Sequence, residues 1–167
     1  MLIAVDTNVL FDHANDEADV VDAVATIRER LPRTRFVVTP TALEELFNLF
    51  ERGDSAESKA ARRALTEMDA WGFEPLNLIA AERGIVEQIG LKLRMKGVLP
   101  DEENNDSHIV AEAALLGCTM LLSADAHLQE AQQHPLFRKT LRDCDVDGDD
   151  LAIASPRQIV RRFFRRK

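Results

Sequence analysis

Short apolar runs alternate with longer stretches of helical periodicity, and this alternation restricts the fold more than any other feature of the chain. Leu2-Ile3-Ala4-Val5 is apolar throughout and ends at Asp6. Phe36-Val37-Val38, Thr119-Met120-Leu121-Leu122 and Leu151-Ala152-Ile153-Ala154 are further apolar runs of strand length, and Phe73 to Leu78, interrupted by Glu74 and Asn77, is also expected to be a strand. Uninterrupted apolar runs this short predict strands buried on both faces. Between them, Asp16 to Leu31 can bring Val20, Val21, Val24 and Ile27 to one helical face, and Pro32 stops it. Thr39-Pro40 opens a helix in which Leu43, Leu46, Phe47 and Phe50 recur. After a break at Gly53-Asp54-Ser55, a helix to Trp71 turns Ala61, Ala64, Leu65 and Met68 inward. Ile79 to Lys96 predicts a long helix ended by Gly97. A polar loop, Pro100 to Asn105, then leads to a helix from Asp106 to Leu116, with Ile109, Val110, Ala113 and Ala114 facing in and Gly117 capping it. Short helices follow Asp125 and Ser155-Pro156. Strands alternating with helices predict an α/β protein whose mostly parallel sheet is covered on both faces.

No repeat, linker or low-complexity tract divides the 167 residues, so a single domain over 1–167 is expected. No apolar run approaches the ~20 residues of a membrane-spanning helix. The start, Met-Leu-Ile-Ala-Val-Asp, has no basic leader, and the two cysteines, Cys118 and Cys144, are too few for a disulfide framework. A cytoplasmic protein without membrane contact is the resulting expectation. The net charge of −8 opposes nucleic-acid binding through the overall field, but leaves room for local basic surfaces. Two clusters are candidates, Arg28, Arg30, Arg33 and Arg35, and Arg62, Arg63, Lys92, Arg94 and Lys96. The final segment, Arg157 to Lys167, adds six cations and no acid. Exposed helical faces also explain these charges.

The chemistry lies in four acidic signatures: Val5-Asp6-Thr7-Asn8, Glu44-Glu45-Leu46, Asn105-Asp106-Ser107 and Ser123-Ala124-Asp125. Each falls where a strand is expected to end or a helix to begin. In a parallel α/β sheet such places converge at the carboxyl edge, where ligands bind. Carboxylates gathered there repel one another unless protons or cations separate them, which points to a hard divalent metal. Each residue also has a local explanation. Asp is a common helix N-cap, and an acid in a first helical turn suits the helix dipole. From the residues alone, Glu44 and Glu45 are interchangeable. The recurrence of all four signatures favours a common site.

With these motifs in order, the chain resembles the PIN-domain ribonucleases, which include the toxin subunits of many prokaryotic toxin–antitoxin pairs. Ile3-Ala4-Val5-Asp6-Thr7-Asn8-Val9-Leu10 matches the first family motif. Val38 to Leu46 resembles the second, in which the acid directly precedes a Leu, and this alignment selects Glu45. Asn105-Asp106-Ser107-His108-Ile109-Val110-Ala111-Glu112-Ala113 resembles the third, and Ser123-Ala124-Asp125 the fourth. The resemblance implies a three-layer α/β/α sandwich and a site binding Mg²⁺ or Mn²⁺. It makes Asp6, Glu45, Asp106 and Asp125 the metal-binding, catalytic acids, with Asn8 and Ser123 as supporting polar residues. It further implies an endoribonuclease acting through metal-activated water, an RNA substrate, an antitoxin partner and a homodimer. Three departures stand out: Ser123 replaces a commoner Thr, His127 stands where a second acid often follows, and an insertion around Gly53 to Trp71 makes the chain longer than a compact toxin, so the resemblance supports a nuclease more strongly than a toxin.

Other motifs weigh less. Asp143-Cys144-Asp145-Val146-Asp147-Gly148 copies the start of an EF-hand loop, but Ala154 occupies the place of the closing Glu. His108, His127 and His134 lack any zinc-site spacing. The chief rival to a nuclease is a PIN-like module that binds RNA or protein without cleaving. Clustered negative charge opposes RNA binding, so four retained acids disfavour it. A phosphate-accepting receiver domain would want an acid pair after the first strand, where this chain has Asp6-Thr7-Asn8.

Overall fold

A computed structural model describes residues 1–52 and 55–164, apart from the side chain of Phe164. Its strands are β1 (Leu2–Val5), β2 (Arg35–Val38), β3 (Phe73–Pro75), β4 (Met120–Leu122) and β5 (Ala152–Ala154). They form one sheet in the order β3-β2-β1-β4-β5, and every pairing is parallel. Ile3 and Val5 of the central strand stand in register with Phe36 and Val38 on one side and with Met120 and Leu122 on the other. Ile3, Ala4, Val5, Val37 and Val38 are fully buried, as expected of strands covered on both faces.

The helices between β1 and β3 are α1 (Thr7–Ala14), α2 (Ala18–Arg30), α3 (Pro40–Glu51) and α4 (Ala56–Glu67). Those after β3 are α5 (Ala80–Met95), α6 (Asn104–Leu115), α7 (Ala126–Gln133), α8 (Phe137–Arg142) and α9 (Pro156–Phe164). The first four pack on one another, joined by α9 on α2, while α5 to α8 form a second group. Because the chain steps from β1 to β3 in one direction and from β3 to β5 in the other, right-handed crossovers place the two groups on opposite faces. The result is the three-layer α/β/α sandwich. Its switch point lies between the carboxyl ends of β1 and β4, the position where such sheets take ligands.

Several details differ from the sequence expectation. A whole helix, α1, occupies the stretch between the first strand and Asp16, and its Val9 and Leu10 are fully buried. The predicted start at Asp16 is instead a turn residue at φ 58°, with α2 beginning two residues later. Val21 is 36% exposed, because the buried stripe of α2 runs through Val20, Ala23, Val24 and Ile27. Phe47 is half exposed, since Ala42 and Leu46 are the residues that α3 buries. β3 stops at Pro75 rather than at Leu78, because its partner β2 ends at Val38, whose carbonyl accepts a last bond from Leu76 N at 2.9 Å. α6 begins at Asn104, so the preceding loop is shorter than predicted and Asn105 lies inside the helix. The helix α8, with Phe137, Thr140 and Leu141 buried, has no counterpart in the sequence reading. Gly97 and Gly117 end α5 and α6 at φ near +67°, where the expected left-handed caps fall.

Candidate active site

Asp6 is both the residue after β1 and the N-cap of α1. Its backbone N–H donates to Leu122 O at 3.0 Å, joining the ends of β1 and β4 at the switch point. Three donors hold its buried carboxylate. Thr7 N donates to Oδ1 at 2.6 Å, and Asn8 Nδ2 and Ser123 Oγ each donate to Oδ2 at 2.6 Å. Asn8 Oδ1 in turn accepts from Ala124 N at 3.0 Å, and Asp125 N donates to Ser123 Oγ at 3.0 Å. Asn8 and Ser123 thus stitch the first and fourth signatures together around Asp6.

Glu45 comes from the first turns of α3, and both of its oxygens are held. The Thr7 hydroxyl donates to Oε2, and Asn105 Nδ2 donates to Oε1 at 2.6 Å. Glu44 faces elsewhere, lining a separate hollow with Arg83, Glu87, His108 and Glu112. Asp106, in the first turn of α6, is the least supported acid. Its Oδ2 is buried and has no hydrogen-bond partner. Asp125 caps α7 through Oδ1, which accepts from His127 N at 2.6 Å.

Burial and the neighbouring acids raise the affinity of Asp6 and Asp106 for protons. Burial pushes Asp6 up to about 6 despite the Ser123 and Thr7 donors, and the charges of Glu45 and Asp125 add to this. Asp106 is pushed up to about 7, first by burial and then by Asp6, Asp125, Glu103 and Glu45. Glu103 is an acid that the sequence reading did not assign.

Asp6, Glu45, Asp106 and Asn8 line a cleft of about 430 Å³ whose other walls include Thr7, Phe11, Asn48, Leu49, Asn105 and Arg52. Asp125 and Ser123 stand beside it rather than in its lining. Arg52 is the one basic residue lining the cleft among the described residues, and neither predicted basic cluster contains it. Arg35 pairs with Glu74, Arg63 with Asp16, and Lys96 with Asp143. Arg28 donates to Trp71 O and stacks over Phe36 and Phe73, and Arg94 reaches Ser107. In the basic C-terminal segment Arg157 pairs with Asp19, while residues 165–167 lie outside the described residues.

The donor set can be tested against a divalent metal. A buried carboxylate oxygen without a partner, beside two further acids and no paired cation, is what a hard cation would satisfy. Among the described residues no three acid, His or Cys side chains already close on one point. Mg²⁺ keeps several of its waters and takes few direct protein ligands, so Asp106, Asp6 and Glu45 could hold it with water filling the remaining positions.

Fold and cleft together define a class: an α/β/α sandwich with carboxylates gathered at the switch point of a parallel sheet. The chain belongs to the PIN domain family, whose model matches residues 3–133. No curated protein matches it in sequence. Its fold is similar to the solved VapBC2 from Rickettsia felis bound to a DNA fragment from their promoter, at 13% identity, TM-score 0.61, and 93% and 98% coverage of the two chains. VapBC-1 from nontypeable Haemophilus influenzae gives 16% identity, TM-score 0.61 and the same coverage. FitAcB from Neisseria gonorrhoeae gives 16%, TM-score 0.55, and 92% and 97%.

Proposed function

We propose that the chain is a Mg²⁺- or Mn²⁺-dependent endoribonuclease. The observation that carries this reading is the half-buried Asp106 carboxylate, whose Oδ2 is buried without a partner and whose ionisation the charges of Asp6, Asp125 and Glu45 oppose. Membership of the PIN family supports the same conclusion.

In this reading Asp106, Asp6 and Glu45 hold the metal, with Asp125 completing the negative field. A bound divalent ion supplies a Lewis acid that activates water and neutralises charge developing on the scissile phosphate. The chain's own residues prepare that site. Ser123, Asn8 and the Thr7 amide keep Asp6 oriented, while Thr7 and Asn105 fix both oxygens of Glu45. Arg52 offsets the repulsion that an acidic cleft exerts on a phosphodiester, and Asn48 adds a neutral donor beside it. Attack by water predicts 5′-phosphate and 3′-hydroxyl ends, and cleavage abolished by chelator. Recovery of 2′,3′-cyclic phosphate would contradict the reading.

Two protein partners belong to the proposal, a small antitoxin and a second copy of the chain. Its similarity in fold to the VapBC and FitAcB structures supports the first. A cytoplasmic location fits this role, and no helix among the described residues is long and apolar enough to cross a membrane. RNA binding unaffected by chelator and without any product would instead select a PIN module that binds RNA or protein without cleavage.

A further inference from the structure

The helices α5 and α6 meet with little between them. A β-carbon placed on Gly90 would stand 2.7 Å from Cδ2 of His108 and 3.0 Å from Oγ of Ser107, so any larger residue would displace the His108 ring and crowd Ser107. One turn further along α5, the Arg94 guanidinium donates to Ser107 Oγ. That hydroxyl, fully buried, donates to Asn104 O at 2.7 Å. The first turn of α6 has no side-chain cap of its own, because Glu103 at the N-cap position makes no such hydrogen bond. An uncapped turn frays readily. Yet this turn presents Asn105, which holds Glu45, and Asp106, whose Oδ2 stands unpartnered.

We propose that Arg94 is a positioning residue for the acidic site. Acting through Ser107, with Gly90 providing the space, it locks the first turn of α6 and so fixes Asn105 and Asp106 against Glu45 and Asp6. Its place in the sequence suggested an RNA contact, but Arg94 does not line the cleft. The two roles have separable consequences. A cation on a phosphate contributes RNA affinity and its salt dependence. A residue supporting metal ligands contributes metal affinity and turnover.

The test uses Arg94→Ala, Arg94→Lys and Ser107→Ala in the full chain, each checked for wild-type melting. In metal-free protein, amide hydrogen exchange across residues 104–108 should rise about tenfold in Arg94→Ala and Ser107→Ala, with the centre of α5 unchanged. Mn²⁺ affinity and kcat should fall roughly 10–100-fold with KM for RNA nearly constant. Arg94→Lys should recover part of the loss, since an ammonium can still donate to Ser107. Unchanged exchange at 104–108 overturns the proposal, and so does a raised KM with wild-type Mn²⁺ affinity and kcat. The metal and kinetic measurements rest on the nuclease reading. If wild type binds no Mn²⁺ and cleaves no RNA, that reading fails, and the exchange experiment still decides the lock.

Discussion

Asp106 in the cleft and Asp143 in the loop before β5 are both aspartates at a helix end, yet their surroundings differ in every respect that matters for chemistry. Asp106 is half-buried, has an oxygen with no partner, and is surrounded by Asp6, Asp125, Glu103 and Glu45. Asp143 is solvated, accepts from Lys96 Nζ at 2.9 Å, and is held below the ordinary carboxylate range by that hydrogen bond and by Lys139 and Lys92. Its neighbours follow suit, with Asp149 paired to Arg142 at 2.6 Å. The loop Asp143 to Asp150 is rich in acids, but its five aspartates are all exposed to water, Asp143 and Asp149 are paired with cations, and a strand follows it. Counting acids therefore does not locate a site. Burial without a counter-charge does.

Substitution tests this contrast, and the largest effect is expected on catalysis. Asp106→Asn should lower RNA cleavage by more than about a hundredfold, because it removes the charge while leaving the shape. Asp143→Asn should leave cleavage within about twofold, and equal losses would erase the distinction between the regions. Next in size is Arg52→Ala, which should raise KM several-fold at constant kcat if Arg52 faces the substrate phosphate.

Stability should respond with opposite signs in the two regions. The folded-state value of Asp106, about 7, lies above the ordinary 3.8, so the fold prefers its protonated form. That contribution is fully present below the unfolded value and is lost as pH rises through 7. Metal-free Asp106→Asn should therefore melt a few degrees above wild type at pH 8, with the gap closing towards pH 4. Asp143 is shifted the other way, so its contribution exists above its unfolded value and disappears as pH falls. Asp143→Asn should melt slightly lower at pH 8. Parallel melting curves for the two variants would break the comparison. The smallest effect is expected from Arg142→Ala, which disrupts an exposed pair worth about 0.5 kcal/mol.

Much of this organisation was legible in the chain itself. Apolar runs ending at acids placed the strands and brought Asp6 and Asp125 to one sheet edge, since both periodicity and parallel crossovers are written in short-range pattern. The end of β3 is not legible in its own residues, because the ladder stops where β2 gives way to α3 at Thr39 and not where the apolar Leu76 and Leu78 run out. α1 was missed because eight residues show barely two turns of periodicity, although Asp6 as a cap before Val9 and Leu10 was the available signal. Spacing alone does not separate Glu45 from Glu44; the family motif selects Glu45, and the rotation of α3 turns Glu45 into the cleft and Glu44 into a separate hollow. Arg52 could not be distinguished among 21 cations, because only the approach of α3 to α1 turns it toward the acids. Arg94 was grouped with surface charges, and its contact with Ser107 depends on how closely Gly90 lets two helices pack. Strands and long helices are legible one by one, whereas the short helices α1 and α8 and the contacts between helices are not.

The most direct test of the central claim is a Mn²⁺ titration by calorimetry on folded wild type and Asp106→Asn in parallel. Asp106 is preferred to Asp6 because Asp6 also caps α1 through Thr7 N and is tied to Asn8 and Ser123, so its loss would mix folding with binding. The account predicts saturable binding by wild type that is lost in the variant. Equal binding by both, or none by folded wild type with oligonucleotide present, would contradict it.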